Sequence, residues 1–466
     1  MITTTIHLSD ILNSQRIDVA YYKDNSGTND FVSLSKYVDI KGGKRIPKDK
    51  SFSFENTNYL YLRLSDITDF ECINYSVLKN ISEELFNILK RYEICNNEIV
   101  FSIAGTIGRV FVVKNIPEGK HVILTENCAK LLPKNDGVLP EYISILLNCD
   151  FIQKQVEKNR IQTTIPKIGL ERIGKIRIPI LPDIKRQTEI IGFYEKELER
   201  QRQMIQLANI EENNIDSVIL SSLGMPLHLN ENLRYNRNFC VNISELLNNR
   251  IDPYYHKRYF KEAFDSLKKA DGIKCLKDIA VLITSGITPK SGGKDYTTPD
   301  KGIAFIRSGD IDINGDINYS DLLYITQEIH DTQMKSSQLK RNDIMIAIVG
   351  ATIGQVGIYL SDNEANINQA IALVRLKENI NPEYVKEILN SSIGQLNLDR
   401  LKRPVARANI NLEEIASIMI PVPDIDKQNE IVRIVKGIRK KVKQCHLEGN
   451  SILNEARQKI EKLILE

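Results

Sequence analysis

The 466-residue chain lacks the sequence features that mark several protein classes. Its seven cysteines form no Cys-x-x-Cys pair and are odd in number, which favours reduced thiols over a zinc site or a disulfide framework. No apolar run reaches 18 residues, and the opening MITTTIHLSD has no basic segment followed by an apolar one. We therefore expect a cytoplasmic protein that is neither secreted nor membrane-spanning.

Sequence motifs for catalysis are missing as well. The turns GTIGR and GATIGQ lack the Gly-Lys-Ser/Thr of a phosphate-binding loop, and the six histidines form neither a His-x-x-x-His nor a Glu-x-x-His pattern. The segment NPEY at Asn381 resembles an amino-methyltransferase signature, but a second copy has Leu139 in that place, and its proline favours a helix start. The sequence thus offers no catalytic or metal-ligating constellation.

An internal repeat organises the chain. The segment LPEYISILLN at 139–148 matches NPEYVKEILN at 381–390, and IGLERIGKIRIP at 168–179 matches INLEEIASIMIP at 410–421, both with an offset of 242 residues. YLRLSDI at 61–67 likewise matches FIRSGDI at 305–311. Ordered blocks at a near-constant offset indicate a tandem duplication.

Each copy combines a globular part with a long helix. Short β-rich runs, glycine turns and a Pro-Glu-Tyr helix start predict an α/β head. The junctions IPILPDIKRQTEII and IPVPDIDKQNEIV then lead into segments with heptad-like apolar spacing, capped by Asp183 and Asp424. Such segments could pack on their own heads, although two equivalent helices in one chain favour mutual pairing. The predicted parts are a first head at 1–180, a spacer helix at 181–225, a second head at 226–422 and a C-terminal spacer helix at 423–466.

Basic residues cluster at matching places in the two heads. KGGKRIPKDK at 41–50 holds five basic residues and one acidic residue, while KNRIQTTIPK at 158–167 and LKRPVARAN at 401–409 hold three basic residues each and no acid. Such loops can neutralise phosphates and hydrogen-bond to base edges. A single basic run is more often a solvated surface, but recurrence at equivalent positions favours a DNA-binding role.

The duplicated heads, the Ile-Pro exits, the Gln-x-Glu-Ile helix starts and the glycine turns resemble the DNA-specificity (S) subunit of Type I restriction-modification systems. The resemblance implies two α/β target-recognition domains that read a split, asymmetric double-stranded DNA site, with the two helices paired as an antiparallel coiled coil. It also implies docking of two methyltransferase (M) subunits and of restriction (R) subunits. The chain itself would then hold no cofactor, because S-adenosylmethionine and ATP would bind to the partner subunits.

Two sets of candidate residues follow from these patterns. The DNA-binding candidates are Lys41, Lys44, Arg45, Lys48, Arg63, Arg109, Arg160, Gln162, Thr163, Lys167, Lys290, Lys294, Arg307, Gln355, Lys402, Arg403, Arg407 and Asn409. The partner-docking candidates on the helices are Gln187, Glu189, Ile191, Leu198, Ile205, Gln428, Glu430, Val435, Ile438 and Val442.

Other functions are compatible with the same architecture. The chain could serve an orphan methyltransferase or a Type II-like restriction-methylation enzyme. A scaffold with two protein-binding heads is a further alternative, and it would lack the steep salt dependence of a phosphate-contacting protein.

Overall fold

The fold is described from a computed structural model of the chain. The described residues are 31–67, 73–160, 166–225, 231–236, 238–246, 250–268, 272–290, 293–312, 314–403 and 408–465. They form two compact units. The first unit contains the described residues up to Gln206 and those from Cys445 onward, and the second spans Leu207–Gln444. Each unit therefore combines one head with parts of both long helices.

The head of the first unit contains two four-stranded sheets and a two-stranded one. Its strands are β1 (Phe31–Ser33), β2 (Val38–Gly42), β3 (Tyr59–Leu62), β4 (Lys79–Asn80), β5 (Glu93–Ile94), β6 (Ile99–Ser102), β7 (Val110–Val112), β8 (His121–Leu124), β9 (Cys128–Pro133) and β10 (Arg177–Pro179). The sheet orders are β2-β9-β6-β7, β4-β3-β8-β5 and β1-β10.

The head of the second unit repeats most of this arrangement, although its smaller four-stranded sheet differs at the edges. Its strands are β11 (Ile273–Cys275), β12 (Ala280–Ser285), β13 (Tyr296–Thr297), β14 (Ile303–Ile306), β15 (Leu323–Ile325), β16 (Ile344–Ala347), β17 (Val356–Ile358), β18 (Ala365–Ile367), β19 (Ile371–Leu376) and β20 (Met419–Pro421). The order β12-β19-β16-β17 repeats β2-β9-β6-β7, and β14 pairs parallel with β18 as β3 does with β8. The predicted duplication is thus confirmed in the topology.

Local sequence explains the central strands. β16 is apolar and buried at every position, and β6 is buried throughout with only Ser102 polar, because each strand packs against core residues on both faces of its sheet. An asparagine precedes each of them at an equivalent position, with φ of 67° at Asn97 and 73° at Asn342. Asparagine is among the residues that tolerate this left-handed conformation, so the turn before the strand forms at little cost.

Short helices pack on these sheets at matching positions in the two heads. The helices outside the two long ones are Glu83–Leu89, Pro140–Leu147, Asp150–Asn159, Leu170–Gly174, Glu231–Arg234, Ile243–Leu246, Arg258–Leu267, Leu276–Ile279, Gln327–Asp331, Pro382–Asn390, Ser392–Leu401 and Leu412–Ala416. The helix starts predicted at Pro140 and Pro382 are confirmed. The Asn381 side chain accepts hydrogen bonds from the next two backbone N–H groups of its helix, at 2.9 and 3.2 Å, which is the behaviour of a helix cap.

Two long helices follow the heads: the central helix (Ile184–Ser222) and the C-terminal helix (Ile425–Leu465). Their predicted caps are confirmed, because Asp183 Oδ1 accepts the N–H of Arg186 at 2.8 Å and Asp424 Oδ1 accepts that of Lys427 at 2.9 Å. Among the described residues, no helix combines the length and the apolar character that crossing a lipid bilayer demands.

The long helices run antiparallel within each unit. In the first unit, Ile460 packs in the same core as Ile190 and Tyr194, whereas Gly449 lies beside Ile205 and Gln201. In the second unit, Lys441 forms an ion pair with Glu211, and further along the two helices Ile431 and Val435 share a core with Ile215 and Ile219. In both units residue numbers rise along one helix as they fall along the other. The mixed α/β fold with two tandem heads and paired antiparallel helices is therefore confirmed.

Candidate nucleic-acid interface

Segments far apart in sequence meet at one edge of the first head. They are residues 42–45, 103–108, 124–128 and 166–168. The N–H of Lys44 donates to the Leu124 carbonyl at 3.0 Å, and the N–H of Gly105 donates to the Pro166 carbonyl at 3.3 Å. The ends of β2, β6 and β8 thus lie beside Pro166 and Lys167, so basic residues from separate parts of the chain share one surface.

The second head brings the equivalent segments together. The N–H of Ile348 donates to Ala370 at 2.8 Å, and that of Gly350 donates to Ala408 at 3.1 Å. Gly286 lies so close to the Ile367 carbonyl that a Cβ atom would overlap it, which explains the glycine after β12. The same edge of the sheets therefore carries the loops in both heads.

The glycine turns shape this edge. Their glycines have positive φ values: 77° at Gly105, 86° at Gly108, 82° at Gly350 and 98° at Gly354. The carbonyl of the second glycine in each turn accepts a hydrogen bond from a glutamine. Gln153 donates to Gly108 at 2.8 Å in the first head, and Gln395 donates to Gly354 at 2.9 Å in the second. The turns are backbone scaffolds held by the neighbouring helices, since only glycine adopts this conformation readily.

Exposed cations line the edge of the first head. Lys41, Lys44, Lys48 and Lys167 are exposed. Arg45 is also exposed, but its guanidinium pairs with Glu126 at 2.5 Å. Burial would raise the pKa of Glu126, yet hydrogen bonds from Arg45 and Thr125 lower it overall. The four lysines are thus the side chains best placed to meet a polyanion here.

Two predicted arginines are held by aspartates at equivalent positions. Arg63 binds Asp66 through Nε at 3.0 Å and Nη2 at 2.6 Å, and Arg307 binds Asp310 at 3.0 and 2.8 Å. These hydrogen bonds raise the pKa of both arginines. Sequence reasoning missed the aspartates, although Arg-x-x-Asp recurs in the two aligned blocks and could have revealed them.

Several other predicted cations are engaged within the chain. Arg160 pairs with Glu157 at 2.8 Å, and Arg403 binds the mostly buried Glu414 at 2.8 Å. Arg403 therefore helps to hold its own head together, and its assignment as a DNA contact stays a prediction. Lys402 lies 3.8 Å from Asp399 and is half-buried. Gln162, Thr163 and Arg407 lie outside the described residues.

The remaining predicted DNA contacts fall in different surroundings. Lys290, Lys294 and Asn409 are exposed in the second head, and Arg109 is half-buried in the first. Gln355 lines a cavity of about 510 Å³ between the glycine turn and the central helix, with its Oε1 buried and unpaired among the described residues. Gln355 therefore lies apart from the exposed polar groups of the second head. Those groups also include Thr288, hydrogen-bonded to Gln369, a pair that the basic-cluster argument did not find.

The predicted docking glutamines are buried. Gln187 accepts the N–H of Leu139 at 3.0 Å and donates to the carbonyls of Gly137 and Pro182 at 2.9 and 2.8 Å. Gln428 repeats this with the N–H of Asn381 at 2.9 Å and the carbonyl of Pro423 at 2.8 Å. The structure corrects the docking assignment of both residues, because these side chains join each helix to its own head.

The apolar docking candidates also face inward. Val435 and Val442 are buried, while Ile191, Leu198 and Ile438 pack against the cores of their units. Ile205 is half-buried beside Gly449. These positions face the other long helix or the head of their unit, and their part in partner docking stays a prediction. Glu189 and Glu430 remain accessible, with side chains 52% and 46% exposed.

The described residues offer no group of three or more His, Cys, Asp or Glu side chains arranged to hold a metal ion. The exposed lysines and amides of the two edges can recognise negative charge and hydrogen-bonding groups.

Comparison with known proteins identifies the family. The model of the Type I restriction modification DNA specificity domain matches residues 27–203 and 270–452, one match for each half of the repeat. The specificity subunit of the Type I restriction enzyme EcoBI from Escherichia coli is 38% identical over 138 residues, 29% of this chain and 28% of that relative. The chain spans less than half the length of the curated relatives it matches.

Solved structures of Type I systems match over nearly the whole chain. A structure concerning complex assembly and conformational transition of the type I R-M system aligns over 93% of this chain and 96% of its own, with a TM-score of 0.47 and 14% identity. The S subunit from M. genitalium aligns over 95% and 97%, with a TM-score of 0.40 and 15% identity. Because the family model covers most of the chain, the chain belongs to the family of Type I restriction-modification DNA-specificity proteins.

Proposed function

We propose that this chain is a non-catalytic subunit that reads a two-part DNA site, one part with each head. The observation that supports this most directly is the repeated interface, in which equivalent loops meet at the same sheet edge of both heads and carry exposed cationic or polar groups. Lysines can neutralise phosphates, while amides and hydroxyls can hydrogen-bond to base edges. The four-part division at residues 180, 225 and 422 is part of the same proposal.

The two heads should read different sequences. Both edges carry a lysine at one equivalent position, Lys48 and Lys290, but the first also presents Lys44 and Lys167, whereas the second presents Thr288, Gln369 and Asn409. Lysine ammonium groups and neutral amides offer different patterns of donors and acceptors to a base pair. Unlike side chains on equivalent scaffolds support an asymmetric DNA site.

Partner subunits would dock on the outward faces of the helices. In the first unit Leu447 is 62% exposed and Ile184 is 42% exposed. In the second unit Ile210 is 58% exposed, and Leu207 and Ile434 are each 37% exposed. Apolar side chains left in water on otherwise well-packed helices are candidates for burial against another protein. Methyltransferase and restriction subunits would supply S-adenosylmethionine and ATP chemistry from there.

Exchange of one head tests the proposal. Residues 240–422 would be replaced by the corresponding head of another family member, and the methylated DNA motif made with the methyltransferase partner would be sequenced. Only one half of the motif should change, because the other head keeps its interface. The reciprocal exchange of the first head provides the matched control. Alteration of both halves by either exchange, or of neither half, would contradict independent reading.

A further inference from the structure

An arginine at the end of one strand is fixed by an aspartate in both heads. Arg63 follows β3 and Arg307 follows β14, and in each case the aspartate three residues later also accepts the arginine backbone N–H, at 2.9 Å in Asp66 and 2.8 Å in Asp310. The aspartate side chains are only 5% and 10% exposed, whereas the arginine side chains are 37% and 39% exposed. Each buried carboxylate thus orients a guanidinium that reaches the surface.

The geometry leaves hydrogen-bond donors for a second partner. Asp66 and Asp310 accept hydrogen bonds from Nε and Nη2 of their arginines, and these two nitrogens form one edge of the planar guanidinium. In Arg307, Nη2 also approaches the Asp321 carbonyl at 3.3 Å. The structure gives Nη1 no hydrogen-bond partner among the described residues in either arginine. A guanidinium held along one edge can still bind an anion with its end.

Both arginines lie at the proposed DNA-binding edge. The carbonyl of Leu62, just before Arg63, accepts the N–H of Thr125 at 3.2 Å, which places Arg63 beside the loop 125–128. The carbonyl of Ile306, just before Arg307, accepts the N–H of Asn368 at 3.0 Å in the equivalent loop. The paired residues therefore belong to the same surface as the exposed loops that differ between the heads.

We propose that Arg63 and Arg307 each bind a DNA backbone phosphate, and that Asp66 and Asp310 are positioning residues that hold the guanidinium for this contact. The proposal rests on the proposed function. The arginine and aspartate are the same in two heads whose surrounding loops present different groups, so their ligand is a feature common to both half-sites. In duplex DNA that common feature is the phosphate backbone, which fixes the protein on the duplex without carrying sequence information.

A purely structural role makes a different prediction. Because the aspartate closes a short turn by accepting a backbone N–H, it could serve folding alone. In that case its removal would lower stability and leave DNA affinity unchanged in the folded protein. Affinity and its salt dependence therefore separate the two roles.

The experiment is a double-mutant cycle in the second head. Arg307→Gln, Asp310→Asn, the double variant and Arg307→Lys would be prepared as the full chain bound to its methyltransferase partner. Affinity for the specific duplex would be measured between about 50 and about 200 mM salt. In this range phosphate contacts govern the salt slope, which is the slope of log affinity against log salt concentration. Thermal unfolding of each variant fixes a temperature at which all are folded.

Arg341→Gln is the charge-matched control. Arg341 pairs with Asp362 at 3.0 Å and is 52% exposed, but it precedes β16, whereas the glycine turn of the interface follows that strand. The Arg341→Gln substitution therefore removes one arginine from an ion pair at the opposite end of the strand. Its affinity and salt slope should match those of the wild type.

We expect Arg307→Gln to weaken binding about tenfold and to reduce the salt slope by about 0.9, the value for one phosphate contact. Asp310→Asn should weaken binding by about fivefold, yet add nothing in the Arg307→Gln background, because it acts through the arginine. Arg307→Lys should keep part of the slope and lose the dependence on Asp310, since a lysine is a point charge. The bases of the methylated motif should stay the same in every variant.

Three outcomes would overturn the proposal. Unchanged affinity and slope in Arg307→Gln would show that no phosphate is bound there, and equal losses from Asp310→Asn with and without Arg307 would show that the aspartate acts on folding. A changed base in one half-site would identify base reading instead. If the wild-type complex showed no salt-dependent DNA binding, the proposed function itself would fail with it. If Asp310→Asn did not fold, the Arg307→Gln, Arg307→Lys and Arg341→Gln comparison would still decide the phosphate contact.

Discussion

The Oε1 atom of Gln187 accepts a hydrogen bond from the backbone N–H of Leu139 at 3.0 Å. The glutamine lies in the first turns of the central helix and the leucine caps a helix of the head, 48 residues earlier. The Gln187 side chain is fully buried, as is that of Gln428 in the second unit, which makes the same bond to Asn381. A buried amide at the same position in each unit therefore helps to fix a long helix to its head.

Gln187→Ala should destabilise the protein by about 2–3 kcal/mol, because it leaves a buried N–H and buried carbonyl groups without partners. Gln428→Ala should have a similar effect. Gln203→Ala is the matched control, since that glutamine is exposed on the same helix and should change stability by less than about 0.5 kcal/mol. Denaturant unfolding of the full chain measures the difference. Equal denaturant midpoints of unfolding for Gln187→Ala and Gln203→Ala would contradict the role of Gln187 in joining the central helix to its head.

Arg403→Ala should act on the stability of the second head more than on DNA binding. Arg403 and Arg250 both bind Glu414, at 2.8 and 3.1 Å, and the Glu414 side chain is only 12% exposed. Loss of the half-exposed Arg403 should lower the free energy of unfolding by only about 1 kcal/mol, because Arg250 still neutralises the Glu414 carboxylate. Unfolding curves and DNA affinity measured on the same samples separate the effects. A large loss of affinity at unchanged stability would place Arg403 in the DNA interface.

The cysteines should differ sharply in reactivity in the folded protein. Burial raises the pKa of Cys128 and of Cys149 to about 12. At pH 8 only about one such thiol in ten thousand would be the reactive thiolate, and access is blocked as well. Cys95 and Cys240 are both exposed, but burial raises the pKa of Cys95, so Cys240 should be alkylated first. Iodoacetamide labelling followed by peptide mass spectrometry checks this order, with denatured protein as the control in which all thiols react. Early labelling of Cys128 in folded protein would show that the first head opens readily.

Adding one heptad to each long helix should widen the gap in the DNA site. The insertions would follow Gln203 in the central helix and the facing Gly449 in the C-terminal helix, which preserves the apolar seam. Seven residues lengthen a helix by about 10 Å, and DNA rises about 3.4 Å per base pair, so the gap should grow by about one to three pairs. Sequencing the methylated motif made by the extended variant tests this. A single insertion is the control and should disrupt the pairing; an active double variant with an unchanged gap would show that the helices do not set the distance.

Much of the fold could be predicted from local sequence. The caps at Asp183 and Asp424 and the helix starts at Pro140 and Pro382 depend on residues within a few positions of one another, and the duplication follows from matching such local segments at a constant offset. Strand β16 is apolar at every position because it is buried on both sides, and that signal is also local. The Arg-x-x-Asp pairs belong to this class, because both partners lie within one turn of chain.

The long-range partners could be decided only by the tertiary structure. Gln187 is polar and sits on a helix start, so its sequence position suggested an exposed docking residue, but the backbone groups it satisfies come from a segment 48 residues away. Arg403 belongs to a basic run, yet Arg250, which shares its carboxylate partner, lies 164 residues from that glutamate. Composition and periodicity determine which residues can be buried or can bind an anion. Which partner each one meets depends on how distant segments pack, since a buried polar group must find its hydrogen bonds wherever the fold supplies them.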